Sequence, residues 1–253
     1  MSSLSSNALT DPAIAGFSFL RRFIFSLLSL TISVIAFAES DYSAVYKLQA
    51  DGMSLGKLER SLQQSADGEY ILKSRSYTTG FWKLFVDDTV SEESHFTMAE
   101  SKVVPKSYHY KKTKKGRLIE ERVEFNTAGG EILSSSKDGV QSFPLTGDES
   151  DKLLYQYRIR ALLRDGESRN ENLNFTVVDR TQLRSYQFEV GQIEEIETSM
   201  GQLEVIKVER INEVKRKTTL WFAPSLDYLP VKIVQDADDH SFSSTIISTS
   251  LNQ

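Results

Sequence analysis

YSAVYKLQADGMSLGKLERSLQQSADGEYILKSRSY, residues 42–77, alternates apolar and polar side chains and is interrupted twice by a turn. Tyr42, Ala44, Tyr46, Leu48 and Ala50 fall on one side of an extended chain, and Ser43, Lys47, Gln49 and Asp51 on the other. That period of two belongs to a half-buried strand. Asp51-Gly52 suits the tight turn of a hairpin and leads into a second strand over 55–63; Ala66-Asp67-Gly68 turns the chain again into a third over 69–77. The segment therefore predicts an antiparallel meander.

Reading outward, the aromatic run Phe81-Trp82-Lys83-Leu84-Phe85 interrupts the alternation, which resumes over 107–112, 117–126 and 131–136. Turns at 113–116 and 129–130 separate these strands. In 117–126, Ile119, Val123 and Phe125 share a face, with Glu120, Arg122 and Glu124 opposite. Beyond Pro144 the spacing of Leu154, Tyr157, Ala161 and Leu162 predicts one amphipathic helix over 151–163, capped by Ser150 and stopped at Asp165-Gly166. Strands are then expected over 173–178, 183–190, 193–198, 203–210, 217–222, 231–235 and 243–250. The expectation is a mainly β fold: an antiparallel curved sheet or open/half barrel with one amphipathic helix. No tandem repeat or linker divides it, so 39–253 is read as a single β-rich domain.

Ahead of the first strand, Arg21 and Arg22 precede an uncharged apolar run, 23–37, which closes on Ala36-Phe37-Ala38. Basic residues, a short apolar core and small residues at alternate positions make a signal peptide, with cleavage expected after Ala38. The run is shorter than the roughly 20 residues a permanent span needs, so an uncleaved anchor in the inner membrane is the alternative. General secretory export to the periplasm is expected, with no permanent membrane span after signal cleavage. The whole chain carries a net charge of −5; the leader's one Asp and two Arg leave the remainder at −6. That mild acidity argues against nucleic acid as a partner. The chain contains no Cys, which excludes disulfides, thiolate metal sites and cysteine nucleophiles.

Candidate chemistry is sparse. Gly52-Met53-Ser54-Leu55-Gly56 matches the G-x-S-x-G elbow of serine hydrolases, but that motif needs a helix after the serine, and the residues that follow read as a strand. His95, His109 and His240 have no second His at metal-ligand spacing. Asp148, Glu149 and Asp151 suit the positive end of the helix dipole, and Asp236, Asp238 and Asp239 read as a solvated acidic turn. No metal or cofactor is expected. Lys111, Lys112, Lys114, Lys115 and Arg117 concentrate positive charge at a hairpin tip. Such a tip either keeps a sheet edge soluble or meets anionic headgroups or an acidic partner.

Four stretches, YKLQADGMSLGKLERSL, VPKSYHYKKTKKGRLIEERVEFN, TGDESDKLLYQYRIRALL and TTLWFAPSLDYLPVKI, resemble the domain of unknown function 3108 family of exported bacterial proteins. The resemblance implies a periplasmic, mainly β protein and supplies no catalytic residues. The expected function is a non-enzymatic periplasmic binding or chaperone-like protein for a lipid or other hydrophobic ligand, with Tyr46, Phe81, Trp82 and Trp221 lining the site. The alternative is a cell-envelope scaffold that binds another envelope protein through a strand edge or the lysine hairpin; a serine hydrolase using Ser54 is the third reading.

Overall fold

Two-residue turns set the course of the chain. Asp51 and Gly52 take φ of 48° and 79°, and Lys115 and Gly116 take 48° and 73°. These paired left-handed conformations match the twist of the strands on either side. They join β1 (Tyr42–Ala50) to β2 (Met53–Gln64), and β5 (Lys102–Lys114) to β6 (Arg117–Asn126). The computed structural model describes residues 40–80, 88–99, 102–166, 172–213 and 215–251. Contacts divide the chain into units Met1–Ala38 and Glu39–Gln253, and all described residues lie in the second.

The other elements are β3 (Tyr70–Thr78), β4 (Thr89–Ala99), β7 (Glu131–Ser136), β8 (Gly139–Pro144), β9 (Glu149–Ser150), α1 (Leu154–Asp165), β10 (Leu173–Asp179), β11 (Gln182–Thr198), β12 (Gly201–Arg210), β13 (Lys217–Ala223), β14 (Leu229–Ala237) and β15 (His240–Thr249). They form one open sheet of 15 strands in the order β8-β7-β6-β5-β4-β3-β2-β1-β15-β14-β13-β12-β11-β10-β9. Two meanders thus run outward from a seam where β1 pairs antiparallel with β15. The parallel pair is β9 with β10, and the chain between them contains α1, because parallel neighbours need a crossover. The sheet curls until Ser134 on β7 donates a hydrogen bond to the carbonyl of Arg180, in the turn after β10. No strand ladder joins the two margins among the described residues, so the barrel stays open.

The sequence expectation of a curved antiparallel sheet with one helix is met, with differences at particular elements. β4 and β8 escape the pattern: the inward row of β4 is Val90, Glu92, Ser94 and Phe96, half polar, and β8 is an exposed edge. The two strands expected over 183–190 and 193–198 are one strand, β11, with a bulge between Val190 and Ile193. Gly191 serves the close approach there, since a Cβ would sit 3.2 Å from the Lys207 carbonyl oxygen.

The helix begins at Leu154, three residues later than expected, with Leu153 at the N-cap position; the side chain that meets its first N–H groups is Asp151, not Ser150. Asp151 Oδ1 accepts the N–H groups of Leu153 and Leu154, each at 2.8 Å, which satisfies two of the donors a helix start leaves unpaired. Ser150 Oγ instead accepts from Arg158 at 3.1 Å. Gly166 closes the helix with φ 74°, its N–H reaching Leu163 O. Leu153, Leu154 and Tyr157 enter a core that draws on β1–β7 and also on Val178, Val205, Ala223, Leu226, Leu229, Val231 and Ile246. Tyr155, Ile159 and Leu163 enter a second core with β10–β14. Because α1 is buried on both flanks, it plugs the open barrel; each fully buried Leu or Ile contributes about 1.5–3 kcal/mol.

Candidate functional site

The residues singled out in the sequence do not converge. Tyr46 is fully buried, and its hydroxyl donates to the Pro230 carbonyl at 2.9 Å. Trp221 lies across from Lys232, which lies across from Thr245 and then Lys47. Direct cross-strand partners share a face, so Trp221 sits on the opposite face of the sheet from Tyr46. Its ring is engaged by Lys232, 5.0 Å from the centroid, and by a hydrogen bond from Nε1 to Glu194. Phe81 and Trp82 lie outside the described residues. Trp221 nevertheless packs, partly buried, against the core cluster to which Tyr46 belongs.

The lysine hairpin is divided in the same way. Lys111 points outward, 3.9 Å from Glu120, while Lys112 points inward, 3.8 Å from Asp88. Lys114, Lys115 and Arg117 make an exposed tip. Ser54 lies in β2 opposite Gln49, one residue after the strand begins, so the strand-to-helix elbow is replaced by a hairpin. Gly56 serves packing: a Cβ there would meet the Tyr77 carbonyl oxygen at 2.0 Å. His95 bridges Glu69 and Glu93 at 2.5 and 2.6 Å; burial lowers its pKa, and the two carboxylates more than reverse that, leaving it raised. His240 pairs with Asp51 at 3.0 Å. Among the described residues, no group of three or more His, Asp or Glu is placed to hold a metal, and no helix is long and apolar enough to cross a membrane.

What the fold does assemble is a polar patch on the inward face, in two clusters beside α1. The first rests on the cross-strand row Glu92–Tyr110–Glu121 and on Ser94 opposite Tyr108. Over this row sits the start of α1. Lys152 Nζ is 2.5 Å from Glu121 Oε2, 3.6 Å from Asp179 Oδ1 and 4.6 Å from the Tyr110 ring centroid. Tyr108 donates to Glu92 at 2.7 Å, and Ser94 donates to Asp151 Oδ2 at 2.5 Å. Burial raises the Asp151 carboxyl to about 6, against the hydrogen bonds that favour its charge. Burial likewise pushes Tyr110 up to about 12, and Tyr108 is driven well upward by burial and then by the Glu92 charge. Nearly every group here already has a protein partner, so the cluster anchors α1 to the sheet.

The second cluster is a cleft bordered by Arg60, Tyr42, Gln156, Tyr157 and Arg160. Arg60 occupies an inward position on β2 between Leu58 and Leu62, opposite Ala44 and Ser74. It is 9% exposed. The Tyr46 ring lies 5.8 Å from its guanidinium, its buried Nε has no hydrogen-bond partner, and no carboxylate of the described residues lies within salt-bridge distance. Arg160 is 1% exposed and is held by Asp227, with Nε 2.8 Å from the backbone oxygen and Nη2 2.5 Å from Oδ2. Gln156 Oε1 is also buried without a partner.

The cleft encloses about 240 Å³, part of it open solvent, and only about 10 Å³ admits the centre of a water-sized molecule. That is room for about one water and too little for an acyl chain. A second, more open and polar cleft, lined by Glu120, Glu121, Arg122, Ser135 and Ser136, admits the centre of a water-sized molecule over about 200 Å³. Among the described residues the inward face is rich in buried aromatic side chains, Tyr42, Tyr46, Tyr70, Phe96, Tyr108 and Tyr157 among them, and it carries buried charge at Arg60 and Glu121 beside them.

A signal for both clusters was present in the sequence. Arg60 shares the period-two row of Leu58 and Leu62, and Glu121 shares that of Ile119 and Val123. A charged residue in an apolar row is the exception to inspect, because a buried charge requires compensation.

The family described as "Protein of unknown function (DUF3108)" matches residues 41–246. Among solved structures, the chain is similar to a beta-barrel-like protein of a domain of unknown function (DUF1849) from Brucella abortus. The identity is 10%, the TM-score is 0.55, and the likeness covers 84% of this chain and 98% of that one. At that identity the likeness shows the fold alone. No curated protein matches.

Proposed function

The chain belongs to the DUF3108 family, and from that premise we propose that it is a non-enzymatic binding or chaperone-like protein of the periplasm, exported by its leader and freed from it after Ala38. The observation that carries this reading is the cleft beside α1. There the buried Nε of Arg60 and the buried amide oxygen of Gln156 lie at a solvent-reached space without a hydrogen-bond partner. Binding sites are concave and place a few polar groups among apolar walls, and the walls here are Tyr42, Leu72, Leu153 and Pro230.

A hydrophobic ligand meets this protein differently from the expected enclosure. The cores on both flanks of α1 are filled, so an apolar chain would lie along the cleft mouth or displace the helix. Native mass spectrometry of the protein purified from its own periplasm, joined to thermal shifts with a lipid panel, tests the reading. A retained ligand mass and a raised Tm are expected; a clean apo mass with no shift from any lipid would remove its support.

A second reading, an envelope scaffold, is favoured by one observation. β8 ends the sheet, pairing with β7 on one side alone, and Val140 and Leu133 are exposed there. Such an edge is a template for strand addition by another chain. Replacing Val140 with Lys is expected to abolish co-purification of an envelope partner while the fold survives; an unchanged pull-down argues against it.

A further inference from the structure

We propose that the Arg60 cleft is a recognition site for an oxyanion, a carboxylate or phosphate group, with Arg60 as the residue that receives it. This rests on the binding reading above and names the chemistry of the ligand group.

A guanidinium carries five N–H donors in a planar fork that matches carboxylate and phosphate oxygens. Buried cations are paired, because removal from water without compensation is expensive. Arg160 follows that rule, held by the Asp227 carboxylate. Arg60 departs from it. Its guanidinium has an aromatic face at 5.8 Å, an unpartnered Nε and no carboxylate of the described residues within reach.

Arg160 borders the same cleft but is held by the backbone oxygen and carboxylate of Asp227, so Arg60 is the guanidinium to which the proposal assigns the anion. An anion seated at the open mouth of the cleft, with its oxygens toward Arg60, would gain charge-assisted hydrogen bonds, which are roughly twice as strong as neutral ones. The small inner volume leaves the rest of the anion and any attached chain outside.

The same geometry explains why a leucine-like residue does not occupy this place in the row. Met at position 60 would keep the apolar stem and remove the uncompensated charge, so the empty protein should gain stability while binding is lost. A purely structural arginine would give the opposite.

The experiment follows the Tm of the full chain and of Arg60→Met, at constant ionic strength, with inorganic phosphate, octanoate or octanol. Expected are a raised Tm with phosphate or octanoate and none with octanol, an apparent affinity at least tenfold weaker in Arg60→Met, and an anion-free Tm of the variant at or above the parent's. A response to phosphate identifies a free oxyanion as sufficient; a response to octanoate alone identifies the headgroup of an amphiphile.

The proposal is overturned if neither anion acts, if octanol matches octanoate, if Arg60→Met keeps the response, or if it melts well below the parent. Should that variant fail to fold, the Nε–H NMR signal of Arg60 in the parent decides: it moves on adding phosphate if the site exists and stays if it does not. A neutral ligand retained from the periplasm by parent and variant alike would leave the binding reading standing while this inference falls.

Discussion

Asp151 offers a test of how α1 is fixed to the sheet. Its carboxyl is wholly buried, caps the helix through Oδ1 and takes the Ser94 hydroxyl on Oδ2. Burial raises its pKa from 3.8 to about 6. A folded value above the unfolded one means that the folded state holds the proton more tightly. The stability this group contributes is therefore fully present below pH about 4 and is lost as pH rises through about 6.

The size of the loss is about 2 pKa units at 1.36 kcal/mol each, or about 3 kcal/mol. Other carboxylates run the opposite way: Glu69 and Glu149, for example, are lowered, so their contribution is present above the unfolded value and lost in acid. The useful quantity is therefore the difference between the parent and Asp151→Asn. Asn keeps an oxygen for the Leu153 and Leu154 N–H groups and turns its amide N–H toward Ser94 Oγ, yet it cannot ionise.

Urea unfolding followed by circular dichroism from pH 4 to pH 8 should show Asp151→Asn gaining on the parent by about 3 kcal/mol across that range. Asp151→Ala, which loses both cap bonds and leaves Ser94 unpaired, should be less stable than Asn by about 2–4 kcal/mol at every pH. A parent-minus-Asn difference that stays flat from pH 4 to pH 8 would refute the burial argument.

Gly56→Ala should lower stability by about 1–3 kcal/mol, because its Cβ would overlap the Tyr77 carbonyl; an unchanged thermal midpoint would contradict the close approach of β2 and β3. Tyr46→Phe, which strips the donor from the Pro230 carbonyl, should cost about 1–2 kcal/mol in urea unfolding, and a neutral result would mean that the carbonyl finds another donor. His95, raised by its two carboxylates, contributes stability that is present below its unfolded value near 6.5 and lost as pH climbs through the higher folded one. His95→Gln should therefore be more destabilised relative to the parent at acidic than at alkaline pH, and equal deficits at both would remove the pairing with Glu69 and Glu93 from the account.

The fold class was written in the local pattern. Alternation in 42–50, 55–63 and 117–126, with paired turn residues at Asp51-Gly52 and Lys115-Gly116, suffices for an antiparallel meander, because side-chain period and turn φ are properties of neighbouring residues. The end of the helix at Gly166 was legible for the same reason. Its beginning was not: Ser150 and Asp151 are both good caps, and the choice between them depends on Arg158 claiming the serine and Ser94, 57 residues upstream of Asp151, meeting the aspartate.

Alternation, turns and membership of a sheet are local properties, and neighbouring residues suffice to specify them. Which charged residues lie inside depends on the folded chain. Arg60 and Glu121 occupy inward positions in apolar rows, but Glu121 finds Lys152 at 2.5 Å, whereas Arg60 finds no carboxylate among the described residues. Compensation of a buried charge is a question of distance between segments remote in sequence, and the folded sheet sets that distance. The difference between an anchor for the helix and a place for a ligand rests on it.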